Sequence, residues 1–227
     1  MDLTALFDGT TLGIVLGGTA LATVLRCGRS DVAATIRIAV RRVFAPGRFD
    51  GETLRAGLAR AAQDLLRNGP MRADPRATGD AEFDDALHAL MTHRSMARFD
   101  EALAHAREKR LGPVEAAIRT LMQATELAPV FGLAGTLISL SQMPAHGVDR
   151  GAYLAAIGMA VHATLYGLML ANLVLAPLAR VIERHARAEE DARQALAQWF
   201  ETEIAPAMNP QHDGRSHYQQ QHPGVAA

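Results

Sequence analysis

Two threonines carry the most suggestive chemistry in this chain. Thr136 lies in ELAPVFGLAGTLISLSQM and Thr164 in YLAAIGMAVHATLYGLMLANLVLAP, both long apolar runs. No formally charged side chain occurs from Leu127 to Met143 or from Gly151 to Ala179. A threonine hydroxyl donates and accepts hydrogen bonds without carrying charge. A ring of such hydroxyls can orient water, or help a partially dehydrated ion pass a carboxylate. The competing use is local: membrane threonines commonly satisfy carbonyls of their own helix. At about 100° per residue, Pro129 and Thr136 share one helical face, and Ala160, Thr164, Gly167 and Ala171 form a stripe of small residues.

Intramembrane carboxylates are the usual proton carriers, and neither run contains one. Glu126 stands at the edge of the first run, where it is expected to be solvated. A proton carrier is therefore expected from a partner chain. His162 is the one imidazole inside a run, two residues and about 200° from Thr164, so it should face away from the small stripe. A packing or lipid-boundary role is expected for it. Pro129 removes the donor for the Thr125 carbonyl and Pro177 the donor for that of Leu173; each proline is either a hinge or a kink.

These residues need apolar helices to position them. At about 1.5 Å per residue the two runs reach roughly 25 and 43 Å, against a hydrocarbon core of roughly 30 Å. PAHGVDR between them suits a tight turn, and the pair reads as a transmembrane hairpin. Residues 9–25, GTTLGIVLGGTALATVL, form a further span candidate, in which the spacing of Gly13 and Gly17 allows close backbone approach between helices. Of the 23 Lys and Arg, Arg150 alone lies outside the segments Arg26–Arg119 and Arg180 onward. By the positive-inside rule the N-terminus and the hairpin turn face outward, and the central region and the tail are cytoplasmic. The acidic N-terminus lacks a cleavable-signal pattern. Cys27 is the only cysteine, which excludes an intrachain disulfide. A net charge of −1 gives no global bias toward nucleic acid.

The central region reads as helices. Residues 30–44 are amphipathic, capped by Ser30 or Asp31, with Val32, Ile36, Ala39 and Val43 on one face. Arg37, Arg41 and Arg42 fit either lipid headgroups or a solvated face. After Pro46-Gly47, a helix from Asp50 carries Leu54, Leu58, Ala61 and Leu65 and stops at Asn68-Gly69-Pro70. A longer helix is expected from about Ala81 to Arg110, with Phe83, Leu87, Leu90, Met91 and Phe99 apolar. Gly112-Pro113 should break it, and the helix entering the membrane should start near Val114. Residues 178–204 read as a mixed-charge helix. From Pro206 the tail lacks apolar periodicity and is expected to be disordered. His212, His217 and His222 in that tail share no helical face and make no metal site.

The motifs APVFGLAGTLISL, ATLYG and LANLVLAPLA resemble the paired-helix signature of the MotA/TolQ/ExbB proton channel family, most closely its MotA branch. GIVLGGTALAT resembles the helix that precedes the cytoplasmic loop in MotA-like chains. The resemblance covers about residues 8–28 and 112–182. It implies that Thr136 and Thr164, with Ala160 beside them, line an ion pathway, and that Pro129 and Pro177 are hinges. Many members have two adjacent threonines where this chain has Ala163-Thr164. The loop motif Arg-x-x-Gly followed by Leu-Glu is also altered: with its glycine on Gly69, Leu66 replaces the arginine, Arg67 is one residue out of register, and Asp74 lies near the acid. MotA chains have a span ahead of the VLGGT helix, whereas the three-span topology expected here is similar to TolQ and ExbB.

The fold expected is an all-α membrane protein with three transmembrane helices and a helical cytoplasmic region between the first and second. Its parts are 1–29 (first span, N-terminus outside), 30–113 (cytoplasmic helical region), 114–182 (transmembrane hairpin), 183–205 (cytoplasmic helix) and 206–227 (tail). The resemblance implies a channel-forming subunit of an ion-driven complex in the bacterial inner membrane, with the N-terminus periplasmic and the C-terminus cytoplasmic. It also implies a homopentamer around a dimer of single-span MotB/TolR/ExbD-like partners, whose aspartate completes the pathway. Gly13, Gly17, Gly167 and Ala171 are the expected helix-packing positions, and membrane lipid is the expected surrounding. No cofactor, metal or nucleic acid is expected, and no nucleophile–base constellation suggests an enzyme. The alternative is a non-conducting oligomeric membrane scaffold that recruits cytoplasmic proteins.

Overall fold

Among the described residues, long uncharged stretches without a central helix breaker form three helices long and apolar enough to cross a membrane, at Gly9–Cys27, within Met96–Ser141 and within Tyr153–Met208. The computed structural model describes residues 9–44, 49–69, 72–73, 77–141 and 150–208. In chain order the helices are α1 (Gly9–Cys27), α2 (Arg29–Phe44), α3 (Gly51–Asn68), α4 (Ala81–His93), α5 (Met96–Ser141), α6 (Arg150–Met169) and α7 (Ala176–Met208), with a π-helical segment, Leu170–Leu175, between the last two. No strand occurs among the described residues. The chain is all-α and has two units, two of whose three boundaries fall inside α5 and α7. One comprises Met1–Gly47 and Gly112–Ala186, the other Arg48–Leu111 and Arg187–Ala227.

In the first unit, α1 buries Thr11, Val15, Thr19 and Thr23, one residue per turn. Their hydroxyls stay compatible with an apolar interior by bonding inside the helix: Thr19 donates to the Val15 carbonyl and Thr23 to that of Thr19, each at 2.7 Å. Gly18 receives the ring of Phe131 from α5, which would overlap any Cβ placed there. Gly28, at φ 91°, ends α1, and its N–H caps the Val24 carbonyl at 2.9 Å. This left-handed glycine lets α2 start on a new axis. Within α2, Thr35 and Ala39 are buried, whereas Ile36 is 60% exposed. The side chain of Val43 lies outside the described residues.

The helix α5 does not stop at Gly112-Pro113; it runs unbroken through Pro113 and Pro129. A proline inside a helix costs about 3 kcal/mol, but this one has anchored helix on both sides. Ahead of it, Arg107 and Arg110 are held by ion pairs. Behind it, Val114, Ala117, Leu121, Ala124 and Ala128 keep one face buried.

In the second unit the core joins Leu54, Leu58, Ala61 and Leu65 of α3, Phe83, Leu87 and Leu90 of α4, Phe99 of α5, and Phe200 and Ile204 of α7. Asp50 caps α3 by accepting from the Thr53 N–H at 3.1 Å, and Gly69 at φ 70° follows its end. Ala81–Arg110 is not one helix. Arg94, at φ 50° and ψ 39°, separates α4 from α5. From Leu90 to Phe99 is nine residues, about 180° around a continuous helix. The break allows both into one core, where the Phe99 and Phe200 ring centroids are 5.4 Å apart.

A half-buried ion network joins α4, α5 and α7 in this unit. Glu190 receives Arg110 Nη2 at 2.6 Å and Arg107 Nε at 2.8 Å, and Arg110 Nε also reaches Glu82 at 3.0 Å. Arg193 pairs with Asp80 at 2.8 Å and with Glu82 and Glu189 at 3.4 Å. Burial pushes the Asp80 carboxyl up, but the Arg193 hydrogen bond and charge, with the backbone N–H groups of Phe83 and Glu82, outweigh it and hold Asp80 below its usual range. Asp80 also caps α4.

Candidate functional site

The two threonines occupy equivalent positions in two similar nine-residue stretches, Gly132–Leu140 (GLAGTLISL) on α5 and Ala160–Leu168 (AVHATLYGL) on α6. In each, the residues one and four places before the threonine are small and buried: Gly135 and Gly132 on α5, Ala163 and Ala160 on α6. In each, the residues one and four places after it are exposed, namely Leu137 and Leu140, Leu165 and Leu168. Both hydroxyl-bearing residues therefore lie half-buried on the seam between a packed face and an exposed apolar face.

The packed faces meet each other. A Cβ on Gly135 would stand 2.9 Å from the Ala163 Cβ, and one on Gly132 would stand 3.0 Å from the Ala163 carbonyl oxygen and 3.4 Å from the Thr164 Cα. Gly167 is equally tight, with a built Cβ 2.7 Å from the Ala128 carbonyl oxygen. Ala160 and Ala171 are buried with it. Small residues thus bring the α5 and α6 backbones together beside both threonines, as membrane helices do when their interface lacks bulk. A Cβ on Gly13 or Gly17 would meet nothing within 4 Å, so both glycines face open space in the single chain.

The hydroxyls differ in their partners. Thr136 donates to the Leu133 carbonyl at 2.6 Å, which leaves its oxygen able to accept. Thr164 has no hydrogen-bond partner among the described residues. His162 stacks on Tyr166 with centroids 6.1 Å apart and 21° between the rings. That places it in a side-chain pair along α6 rather than beside Thr164. No group of metal-ligating side chains occurs among the described residues. The chemistry available is that of neutral hydroxyls at an apolar seam: ordering water or supplying oxygen ligands to an ion whose countercharge comes from elsewhere.

The prolines differ as well. Pro129 sits inside unbroken α5 and offers no N–H to the Thr125 carbonyl; the Thr125 hydroxyl donates separately to the Leu121 carbonyl at 2.8 Å. Pro177 follows the π-helical segment, in which the Ala176 N–H reaches the Ala171 carbonyl five residues back. Asn172 Nδ2 donates to the Leu168 carbonyl at 2.9 Å. Such wide turns cluster at functional sites. Pro177 is legible in the sequence and the π segment is not; Asn172 ahead of the proline is the local signal for it. In the altered loop motif, Leu66 and Arg67 are exposed at the end of α3. Asp74 lies outside the described residues, as do the hairpin turn at 142–149 and the histidine-containing tail.

Comparisons with known proteins converge. The family model described as the MotA/TolQ/ExbB proton channel family matches residues 76–195. Motility protein A of Cereibacter sphaeroides is 27% identical over 189 residues, which is 83% of this chain and 74% of that protein. Motility protein A of Borreliella burgdorferi is 37% identical over 59 residues, 26% of this chain and 23% of that one. Among solved structures, a chain of the flagellar MotAB stator complex from Bacillus subtilis superposes with a TM-score of 0.77 at 19% identity, covering 98% of this chain and 91% of that chain. A chain of C. jejuni MotAB gives 0.76 at 16%, covering 100% and 88%.

Proposed function

The chain belongs to the MotA/TolQ/ExbB proton channel family, and from that premise we propose that it is the channel-forming subunit of an ion-driven inner-membrane complex that turns ion flow into mechanical work. The observation that carries this reading is the pair of seam threonines on α5 and α6, set in spans that contain no carboxylate. Hydroxyls without a resident acid need a carboxylate from a partner. A single-span chain of the MotB/TolR/ExbD kind would supply it. The exposed apolar faces of α5 and α6 leave room for neighbouring copies, in keeping with a homopentamer around such a partner. The N-terminus is periplasmic and the C-terminus cytoplasmic in this reading, and Pro129 and the Pro177 region serve as hinges. Gly13 and Gly17 pack between subunits.

The decisive experiment reconstitutes the chain with a candidate single-span MotB/TolR/ExbD-like protein in liposomes and measures proton and sodium flux. Gradient-driven flux that requires both chains supports the channel. A second reading, a non-conducting scaffold, is favoured by the Thr136 bond to its own helix. It predicts a stable oligomer with no flux above that of empty liposomes.

A further inference from the structure

We propose that Glu115 on the exposed stripe of α5 in one copy of this chain is held by Arg180 and Arg184 on the exposed stripe of α6 and α7 in the next. The inference rests on the proposed homo-oligomer and is independent of ion conduction. On α5 the exposed residues Glu115, Met122, Glu126, Leu133, Leu137 and Leu140 recur at spacings of three, four and seven, the repeat of a seam that takes another helix. On α6 the exposed residues Val161, Leu165 and Leu168 start a second stripe. In an unbroken α-helix that stripe would reach Ala179, eleven residues after Leu168, but Ala179 is buried. The π-helical turn at Leu170–Leu175 takes up one extra residue. Exposed Leu173 and Pro177 therefore continue the stripe, and exposed Arg180 and Arg184 end it.

The two stripes lie on different flanks of the chain. Each is turned about 130–140° from the small residues that join α5 to α6, counted at roughly 100° per residue. The two helices run antiparallel, since Gly132 approaches Ala163 while Ala128 approaches Gly167. Equal offsets on antiparallel helices are mirror images, which sends the stripes to opposite flanks of the pair. A contact between opposite flanks is head-to-tail, and it generates a ring when the rotation from copy to copy closes.

Level and charge select a second copy as the occupant. Glu115 is thirteen residues before Ala128, and Arg180 is thirteen residues after Gly167. Both therefore stand about 20 Å along the bundle from the Ala128–Gly167 contact. In a ring whose axis follows these helices, the carboxylate of one copy is level with its neighbour's guanidinium, and Arg184 is one turn further on. Arg180 and Arg184 have no ion-pair partner among the described residues. Glu115 reaches Arg119 at 3.9 Å and keeps 63% of its side chain exposed. Lipid phosphate suits the two arginines but not the acids Glu115 and Glu126 of the facing stripe, whereas a second copy satisfies both signs. Packed between helices, the pair is sheltered from water, where opposite charges attract more strongly.

The test uses the full chain with Cys27→Ala as background. Met122→Cys and Leu173→Cys are placed on separate, differently tagged copies, which are co-expressed and crosslinked in the membrane with a short bifunctional thiol reagent. Each position is six residues from the Ala128–Gly167 contact, both are exposed, and the charged residues stay in place. The expected product is the mixed 122–173 dimer. Dimers of like tags through 122–122 or 173–173 overturn the proposal, because the contact is then symmetric. Absence of any crosslink overturns it as well, since the stripes then face lipid or another protein. Glu115→Arg in both copies should lower the mixed product about tenfold or more, and adding Arg180→Glu with Arg184→Glu should restore it. An unchanged product in Glu115→Arg, or no recovery in the triple variant, overturns the ion pairing. Mixed dimers from a protein that shows no flux support this contact and count against the channel alone.

Discussion

Gly132 and Gly167 meet backbone to backbone: a Cβ on Gly167 would stand 3.0 Å from the Gly132 Cα and 2.7 Å from the Ala128 carbonyl oxygen. Backbone cannot swing aside as a side chain can, so Gly167→Ala must separate α5 from α6. Overpacking of this kind costs about 1–3 kcal/mol. Gly158→Ala on the same helix meets nothing within 4 Å, and should instead gain up to about 1 kcal/mol from helix propensity. Thermal unfolding of the two variants in detergent, followed by size-exclusion chromatography, checks the opposite signs.

The Asp80–Arg193 pair makes the second unit acid-sensitive. The folded pKa of Asp80 is depressed, so its contribution is present above the unfolded aspartate pKa and is lost as pH falls through the lower, folded value. Arg193→Met leaves Asp80, Glu82 and Glu189 without this partner and should destabilise the unit by about 2–4 kcal/mol at neutral pH. Asp80→Asn should cost less and should remove part of the acid sensitivity. Helical circular dichroism against temperature between neutral pH and pH ~3 distinguishes the variants; identical acid slopes in wild type and Asp80→Asn would sink the assignment.

Glu201 shows the opposite sign. Burial raises its pKa first, and the neighbouring Asp100 carboxyl adds to the rise by hydrogen bonding and like charge. A raised folded pKa gives stability that is complete below the ordinary glutamate range and is lost as pH rises through the folded value. Glu201→Gln should therefore match wild type in acid and exceed it at neutral pH, by less than about 1 kcal/mol because the pair is partly solvated. Melting temperatures at the two ends of that range give the answer.

Periodicity and charge made much of this architecture legible. The three spans announce themselves as uncharged runs, and Leu54, Leu58, Ala61 and Leu65 recur at helical spacing and are all buried. What stayed hidden depended on tertiary contacts. Pro113 reads as a stop, yet the helix around it is anchored on both sides. Phe99 reads as a continuation of α4, although its phase is wrong for Leu90. Ile36 reads as core because apolar spacing cannot reveal that Thr35, bonded to the Asp31 carbonyl at 2.6 Å, takes the buried face. The seam was half visible: small residues before each threonine were in the sequence, but the close approach of Gly132 and Gly135 to Ala163 is a property of two helices together.

The π segment gives a sharper test of the Pro177 region. Beside its wide turn, Asn172 Nδ2 donates to the Leu168 carbonyl. Asn172→Leu removes that donor; because the bond is exposed, its loss should cost no more than about 1 kcal/mol of stability. If the region is a hinge, partner-dependent flux should fall more than oligomer stability does. Equal, small losses in both would mark it as a static kink.

Thr164→Val separates channel from scaffold most directly. Valine nearly preserves threonine's shape and removes its hydrogen-bonding capacity. Thr164 has no hydrogen-bond partner among the described residues, so a packing role predicts almost no loss, well below the usual ~1 kcal/mol for a hydrogen bond. An ion-pathway role predicts intact expression and oligomer size with flux abolished in liposomes that contain the partner. Thr136→Val should act in the same direction but more weakly, because its hydroxyl already spends its proton on the Leu133 carbonyl. His162→Leu is the control: the imidazole stacks on Tyr166, away from the seam, and its loss should leave flux near wild type. If Thr164→Val conducts like the parent while His162→Leu does not, the seam is packing and the path runs along the imidazole face of α6.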